Sequence, residues 1–321
     1  VGFFTAGIVQ TALEVGLIYS LIALSLFLSF SILNICDLST DGCYTLGCAV
    51  GATMTIAGHP ILGILFAMAA GACSGFVTAS LQTVFGVPSI LAGIIVNTGL
   101  YTVNLAVMGF SSNLSIFGKD TVFSMMAGLS DAAGWGDWSA LVLLLVLVGA
   151  ACLLLWWFLG TRLGLSIRAT GDSSPMVRAS SINPGLMITI GLCGSNSLTG
   201  MAGALIAQYN KMADINLGTG MVTIALASLI IGETLFGRGK MPARIAGVVA
   251  GAVLYRFIMA IALRLNVPTE AFKLVSALIV AIAIAAPAAK KMIHFQMEKR
   301  IGRRTRARAD AGDIPADKEA R

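Results

Sequence analysis

The sequence predicts an all-α, polytopic transmembrane helical bundle of about nine spans, with a short cytoplasmic helix between two of them. Three observations carry this. Of 321 residues, 57% are hydrophobic and 11% charged, whereas soluble domains are about 25% charged. Apolar runs of about 20 residues, each able to cross about 30 Å of hydrocarbon, recur along the chain. One polar, basic island at 162–184 interrupts them, too long and too rich in capping residues for a slack loop.

Val1–Phe30 lacks the basic n-region of a cleavable signal peptide and reads directly as the first span, 6–33. Further crossings are expected at 42–57, 61–85, 88–108, 138–160, 184–208, 218–236, 242–264 and 270–288, the second and seventh being short. The 36 glycines suit close helix contact in lipid. Residues 1–289 thus form one transmembrane domain, and 290–321 is a basic cytoplasmic tail expected to be disordered, its start held against anionic lipid. Phe110–Asp137, with Trp135 and Trp138, reads as an external interfacial loop or lying-down helix.

Within the island, Gly164 is expected to end one helix and Asp172 or Ser173 to cap a short second one. Asn183-Pro184 has the signature of a third helix start. Arg162, Arg168 and Arg178 lie in the island, Arg238, Lys240 and Arg244 in the connector at 233–244, and eight Lys or Arg residues between 290 and 308. Basic residues accumulate on the cytoplasmic side. Island, connector and C-terminus therefore face the cytoplasm, and the N-terminus faces outward.

No catalytic constellation is present, so an enzyme is not expected. The six cysteines lack metal-ligand spacing and the two histidines lie far apart, so no metal is expected either. Gly232-Glu-Thr-Leu-Phe-Gly237-Arg238 imitates a phosphate loop but has Arg in place of Lys and no following Ser or Thr. Any ATP is bound by another chain.

Intramembrane polarity remains, and it is costly enough to suggest function. Asn34, Asp37, Ser39, Thr40 and Asp41 lie in LNICDLSTDG, which reads as an interrupted helix with Asp41 or Thr40 satisfying its free N–H groups. Two readings stand: capping of a tight turn at the cytoplasmic face, or lining of a translocation path. Arg256 needs a partner within the eighth span. Glu14 and Glu233 are the candidates, and depth favours Glu14, as a structural or a substrate-facing pair. Asn97, Asn104 and Asn196 suit hydrogen bonds across helices or contact with a ligand. The candidate path is Asn34, Asp37, Ser39, Asp41, Asn97 and Asn196.

Arg162-Leu-Gly-Leu-Ser-Ile-Arg-Ala-Thr-Gly-Asp172, a short helix and Ile182-Asn183 resemble the coupling segment of ABC importer permeases of the branched-chain amino-acid and ribose type. Leu17–Leu24, Asp37–Gly42 and Gly200-Met-Ala-Gly-Ala204 are similar to the same family. Within it, Asp37–Gly42 with Leu46-Gly47, Arg168–Asp172 and Ala207-Gln-Tyr209 look most like the tryptophan/tyrosine uptake permeases. The resemblance covers essentially the whole chain. It implies a homodimer in a bacterial cell membrane, cytosolic ATPase subunits that bind ATP and magnesium, and an extracytoplasmic substrate-binding protein. This chain itself would carry no cofactor, and lipid but not nucleic acid is an expected partner. Arg168, Gly171, Asp172, Ser173, Ser174, Pro175, Met176, Arg178, Ala179 and Ser181 would seat in the ATPase. Ser181 departs from the family's usual glycine, and Asp172-Ser-Ser-Pro from a commoner Asp-Asn-Pro. The competing reading is an ion-coupled secondary transporter with Asp37, Asp41 and the Glu14/Arg256 pair as ion sites.

Overall fold

A computed structural model describes residues 6–133, 138–237 and 239–264, with 274, 278 and 281. The order is α1 (Ala6–Leu26), a π-helical turn (Phe27–Ile32), α2 (Thr40–Ile56), α3 (Pro60–Thr83), α4 (Ser89–Val107) and β1 (Asn113–Ser115). Then come α5 (Val122–Ala133), α6 (Ser139–Gly160), α7 (Arg162–Asp172), α8 (Ser174–Ala179), α9 (Pro184–Asn210), β2 (Met212–Asp214), α10 (Met221–Phe236) and α11 (Met241–Arg264). The helical bundle is as expected. The short β1–β2 ribbon, antiparallel with Leu114 opposite Ala213, is an addition that three-residue strands left invisible to pattern reading.

Among the described residues six helices are long and apolar enough to cross a membrane: Gly7–Ile32, Pro60–Thr83, Ser89–Val107, Ser139–Gly160, Pro184–Asn210 and Met241–Ala262. They coincide with six of the expected crossings, so the chain is a multi-pass membrane protein. The expected crossings at 42–57 and 218–236 correspond to α2 and α10, with only 17 and 16 residues. That is short of the roughly 20 that a full crossing requires. The expected ninth crossing and the tail from 290 lie outside the described residues, apart from 274, 278 and 281.

The core forms around α1 and α9, buried over 83% and 72% of their apolar windows, against 22–39% in the other four candidate spans. Small residues make the close packing possible. α2 runs parallel to α9: Gly47 lies on Gly200, and a Cβ at Gly51 would come within 2.7 Å of the Ala204 Cβ. α3 runs antiparallel to α9 and also packs against α2, with Gly71 against the Asn196 carbonyl, Gly75 against that of Leu192, and Gly200 against that of Ala67. α10 and α11 pack through Gly232, Gly247 and Gly251, and α1 meets α11 where Gly16 faces Val253 and Arg256.

At one end of the bundle the island forms two helices. Thr161 caps α7, its Oγ1 accepting from the Gly164 N–H at 3.2 Å. Gly164 therefore starts a helix instead of ending one, because α6 already stops at Gly160 and glycine lets this first turn pack on Phe158 and Leu159. Ser173 breaks the chain between α7 and α8 with φ −160. As its sequence signature suggested, Asn183 caps α9, its Oδ1 accepting from Gly185 at 2.9 Å, with Pro184 in the first turn. Ser181 takes a left-handed φ of 62.

An L-residue in that region costs about 1–2 kcal/mol. Ser181→Gly is expected to raise stability by about 1 kcal/mol, read as a higher midpoint of thermal unfolding in detergent; a lower midpoint would show that the serine side chain contributes more than the backbone costs. Gly200→Val places methyls against the Ala67 backbone and is expected to destabilise by at least about 1–3 kcal/mol. Gly149→Val, with nothing within 4 Å of its Cβ, provides the control, and equal shifts would show that α3 does not depend on this close approach.

Candidate functional site

The first span does not simply turn back at the end of the bundle. Its last residues widen into the π-helical turn, with Leu33 donating to the Leu28 carbonyl at 3.1 Å and Ile35 to that of Ser29 at 2.9 Å. Asn34 then takes φ 56, and the chain continues non-helically until α2 begins at Thr40. Leu33 packs on Gly191, while Cys43 Sγ donates to the Asn196 carbonyl at 3.3 Å, beside the midpoint of α9. The interruption thus climbs along the first half of α9, and α2 starts halfway along a span.

Polar groups inside hydrocarbon need partners, and here carboxylates supply them. Asp37 is fully buried. Its Oδ1 accepts from the Ser39 N–H at 2.8 Å and the Ser39 hydroxyl at 2.6 Å, and its Oδ2 from Asn196 Nδ2 at 2.8 Å. Thr78 on α3 donates to Ser39 Oγ at 3.2 Å. Asp41 serves another helix: its Oδ2 accepts from Gly220 N–H at 3.0 Å and its Oδ1 from Val222 N–H at 2.8 Å, capping α10. Thr45 Oγ1 accepts from the Gly218 N–H at 3.2 Å. The expected capping exists, but not in a tight turn at the end of the bundle, and Asp37, with Asp41 in a different helix's cap, serves the start of α2.

Two short helices, α2 and α10, therefore bring their N-terminal ends together halfway along the bundle. Beside them opens a cleft of about 350 Å³ lined by Asp41, Gly42, Thr45, Asn97, Thr98, Tyr101, Asn104 and residues 215, 216, 218 and 219. α4 closes it on one side. Gly42 permits that approach, since a Cβ there would lie 2.6 Å from Asn97 Oδ1, and Asn104 Nδ2 donates to the Gly42 carbonyl at 3.0 Å. Volume and a few convergent polar groups match small-solute sites.

The structure brings Asp41 and Asn97 into this cleft and ties Asp37, Ser39 and Asn196 into the adjoining buried knot. Asn34 is exposed at the far end of the interruption and does not line the cleft. Tyr101, Thr98, Asn216 and Thr219 were not among the expected path residues. Their signal was faint: glycines at 218 and 220 mark an irregular stretch inside what reads as the start of a span.

Glu14 and Arg256 take separate partners. The Glu14 carboxylate accepts from Gln10 Nε2 at 3.0 Å and from the Tyr209 hydroxyl at 2.8 Å. The Arg256 guanidinium lies over the Tyr19 ring, 5.4 Å from its centroid. Among the described residues no ion pair joins the two. Glu233 pairs instead with Arg244 at 2.8 Å, and Ser31 of the π-helical turn joins this pair, donating to Glu233 at 2.6 Å and accepting from Arg244 at 2.8 Å. Arg244 also lies 5.0 Å above the Phe27 ring. Neither partner was legible, because contacts across many residues of sequence separation leave no spacing signature.

The island presents Asp172, Ser174, Pro175, Met176, Arg178, Ala179 and Ser181 to the exterior, with Arg168, Gly171 and Ser173 half-buried. Val177, 2% exposed, anchors α8. Gly171 packs on the Ile32 carbonyl and Leu33, at the π-helical turn itself.

The family described as branched-chain amino acid transport system / permease component matches residues 8–284. A tyrosine transport system permease protein of Clostridioides difficile (strain R20291) is 33% identical over 276 residues, 86% of this chain and 89% of its own length. An uncharacterized protein of Rickettsia prowazekii (strain Madrid E) is 34% identical over 229 residues, 71% of this chain and 78% of its own. No solved structure matches significantly. A match over most of the length, carried by relatives of this identity, makes the conclusion plain: the chain belongs to the branched-chain amino acid permease family.

Proposed function

We propose that this permease subunit of an ABC importer moves an aromatic amino acid inward as a homodimer with nine crossings per chain. Its C-terminus faces the cytoplasm, an extracytoplasmic binding protein delivers the solute, and ATP with magnesium is hydrolysed by separate cytosolic subunits docked on 162–184. The tyrosine transport permease relative supports the substrate class. The path runs through Asp37, Ser39, Asp41, Asn97 and Asn196, with Asn34 at its inner edge.

The observation that carries the coupling is the seat of Gly171. A helix pair with an outward face, α7–α8, touches the rest of the protein where the first span loses its α-helical geometry. A displacement of α7–α8 by an ATPase would press through Gly171 on Ile32 and Leu33 and so on the interruption that ends in Asp37 and Asp41. π-helical turns and unwound segments have cheap alternative hydrogen-bond registers, which suits them to two arrangements of one dimer.

The test is ATP-driven uptake of tyrosine into proteoliposomes holding the full complex. Gly171→Val, which drives methyls into the Ile32 carbonyl, is expected to lower uptake at least about tenfold, an effect of 1.4 kcal/mol or more. Met176→Cys is expected to crosslink to the ATPase. Accumulation by the purified chain alone under an ion gradient, without ATP, would establish a secondary transporter instead.

A further inference from the structure

The cleft between α2, α4 and the start of α10 has an unbalanced lining. Among the described residues lining it there is one acid, Asp41, and no Lys, Arg or His. Asp41 accepts the backbone N–H of Gly220 on Oδ2 and that of Val222 on Oδ1, and the Met221 N–H also acts on the carboxylate. An ionised carboxylate has about four lone-pair sites, so part of its accepting capacity is left over. These N–H groups come from the N-terminal end of α10, which accounts for the carboxylate being there but does not exhaust it.

A second, independent observation comes from α4. Asn104 is 1% exposed, spends its Nδ2 on the Gly42 carbonyl, and leaves its Oδ1 buried with no partner. Natural structures rarely strand a buried acceptor without reason. Asn97 Oδ1 lies on the same side, next to Gly42. The cleft is thus lined by a carboxylate and by further acceptors, with no positively charged donor among its described lining residues. A bare metal ion would leave most of about 350 Å³ unfilled. Tyr101, 54% exposed, lines the same cleft and offers a ring for an aromatic or apolar group to rest on.

We propose that this cleft binds the primary ammonium group of the transported solute on Asp41, with Asn104 Oδ1 as a further acceptor and the solute's side chain against Tyr101. The inference rests on the importer reading and deepens it by naming the group on the solute that the permease holds. It also assigns Asp41 two tasks, capping α10 and binding solute, so that solute arrival reaches the start of a short helix directly. A solute without an ammonium group is rejected because Asp41 and Asn104 are then left short of donors, the kind of discrimination that buried polar groups provide.

The experiment is equilibrium binding to the purified full-length chain in lipid nanodiscs, with L-tyrosine, tyramine and 3-(4-hydroxyphenyl)propionate as probes. L-Tyrosine and tyramine, which carry the ammonium group, are expected to bind at least about tenfold more tightly than the propionate, which lacks it. Asp41→Asn keeps an acceptor for the α10 N-terminus but removes the charge, and is expected to erase that difference. Thr219→Lys, which puts a tethered ammonium at the edge of the cleft, is expected to do the same if Asp41→Asn does not fold. Equal affinity for all three probes, no binding of any of them, or a preference unchanged in either variant overturns the proposal. The readout is binding without ATP, so a failed ammonium site and a failed importer reading give different results.

Discussion

A helix interrupted inside hydrocarbon must satisfy its own backbone, and the rest of this structure is arranged around that requirement. Between Ile35 and Thr40 the chain forgoes helical hydrogen bonds, and in lipid each unpaired group would cost several kcal/mol. Asp37 meets the need at the start of α2, locked in turn by Asn196 on α9. Asp41 meets it at the start of α10. Neither carboxylate could reach its partner across helices separated by ordinary side chains. The glycines at 47, 71 and 200 bring α2, α3 and α9 close enough for Asp37, and Gly218 brings the start of α10 against Asp41 and Thr45.

This arrangement explains why two helices are short. α2 and α10 each begin inside the bundle, so their 17 and 16 residues of regular helix fall short of a full crossing and irregular chain protected by neighbours precedes them. Irregular backbone at membrane depth is tolerated only where protein buries it or where it lines a cavity, and both conditions occur here. Asp37 and its knot are buried; Asp41 borders the cleft. The irregular segments are also where conformational change costs least, because few helical hydrogen bonds must break.

The π-helical turn joins two regions that the chain separates widely. Ile32 and Leu33 receive Gly171 from the island, while Phe27 and Ser31 hold Arg244, which pairs with Glu233 at the end of α10. One turn of the first span therefore touches the exposed helix pair, the start of α11 and the end of α10. The other end of α10 is capped by Asp41. A mechanical connection from the island to the cleft can run along either side of α10, through the interruption or through the clasp.

Much of this was legible in the sequence. Apolar length located the six long helices, Asn183-Pro184 located the far end of the island, and the density of polar residues at 34–41 marked an interruption. Each of these signals is local, since helix length, caps and breaks depend on residues within a few positions of one another. What only the tertiary structure decided is depth and partnership. That Asp37 lies beside the midpoint of α9, that Asp41 caps α10, and that Arg256 rests on Tyr19 while Glu14 takes Tyr209 all depend on helix packing. Such packing is set by which glycines meet across the bundle, and no spacing within one segment records that.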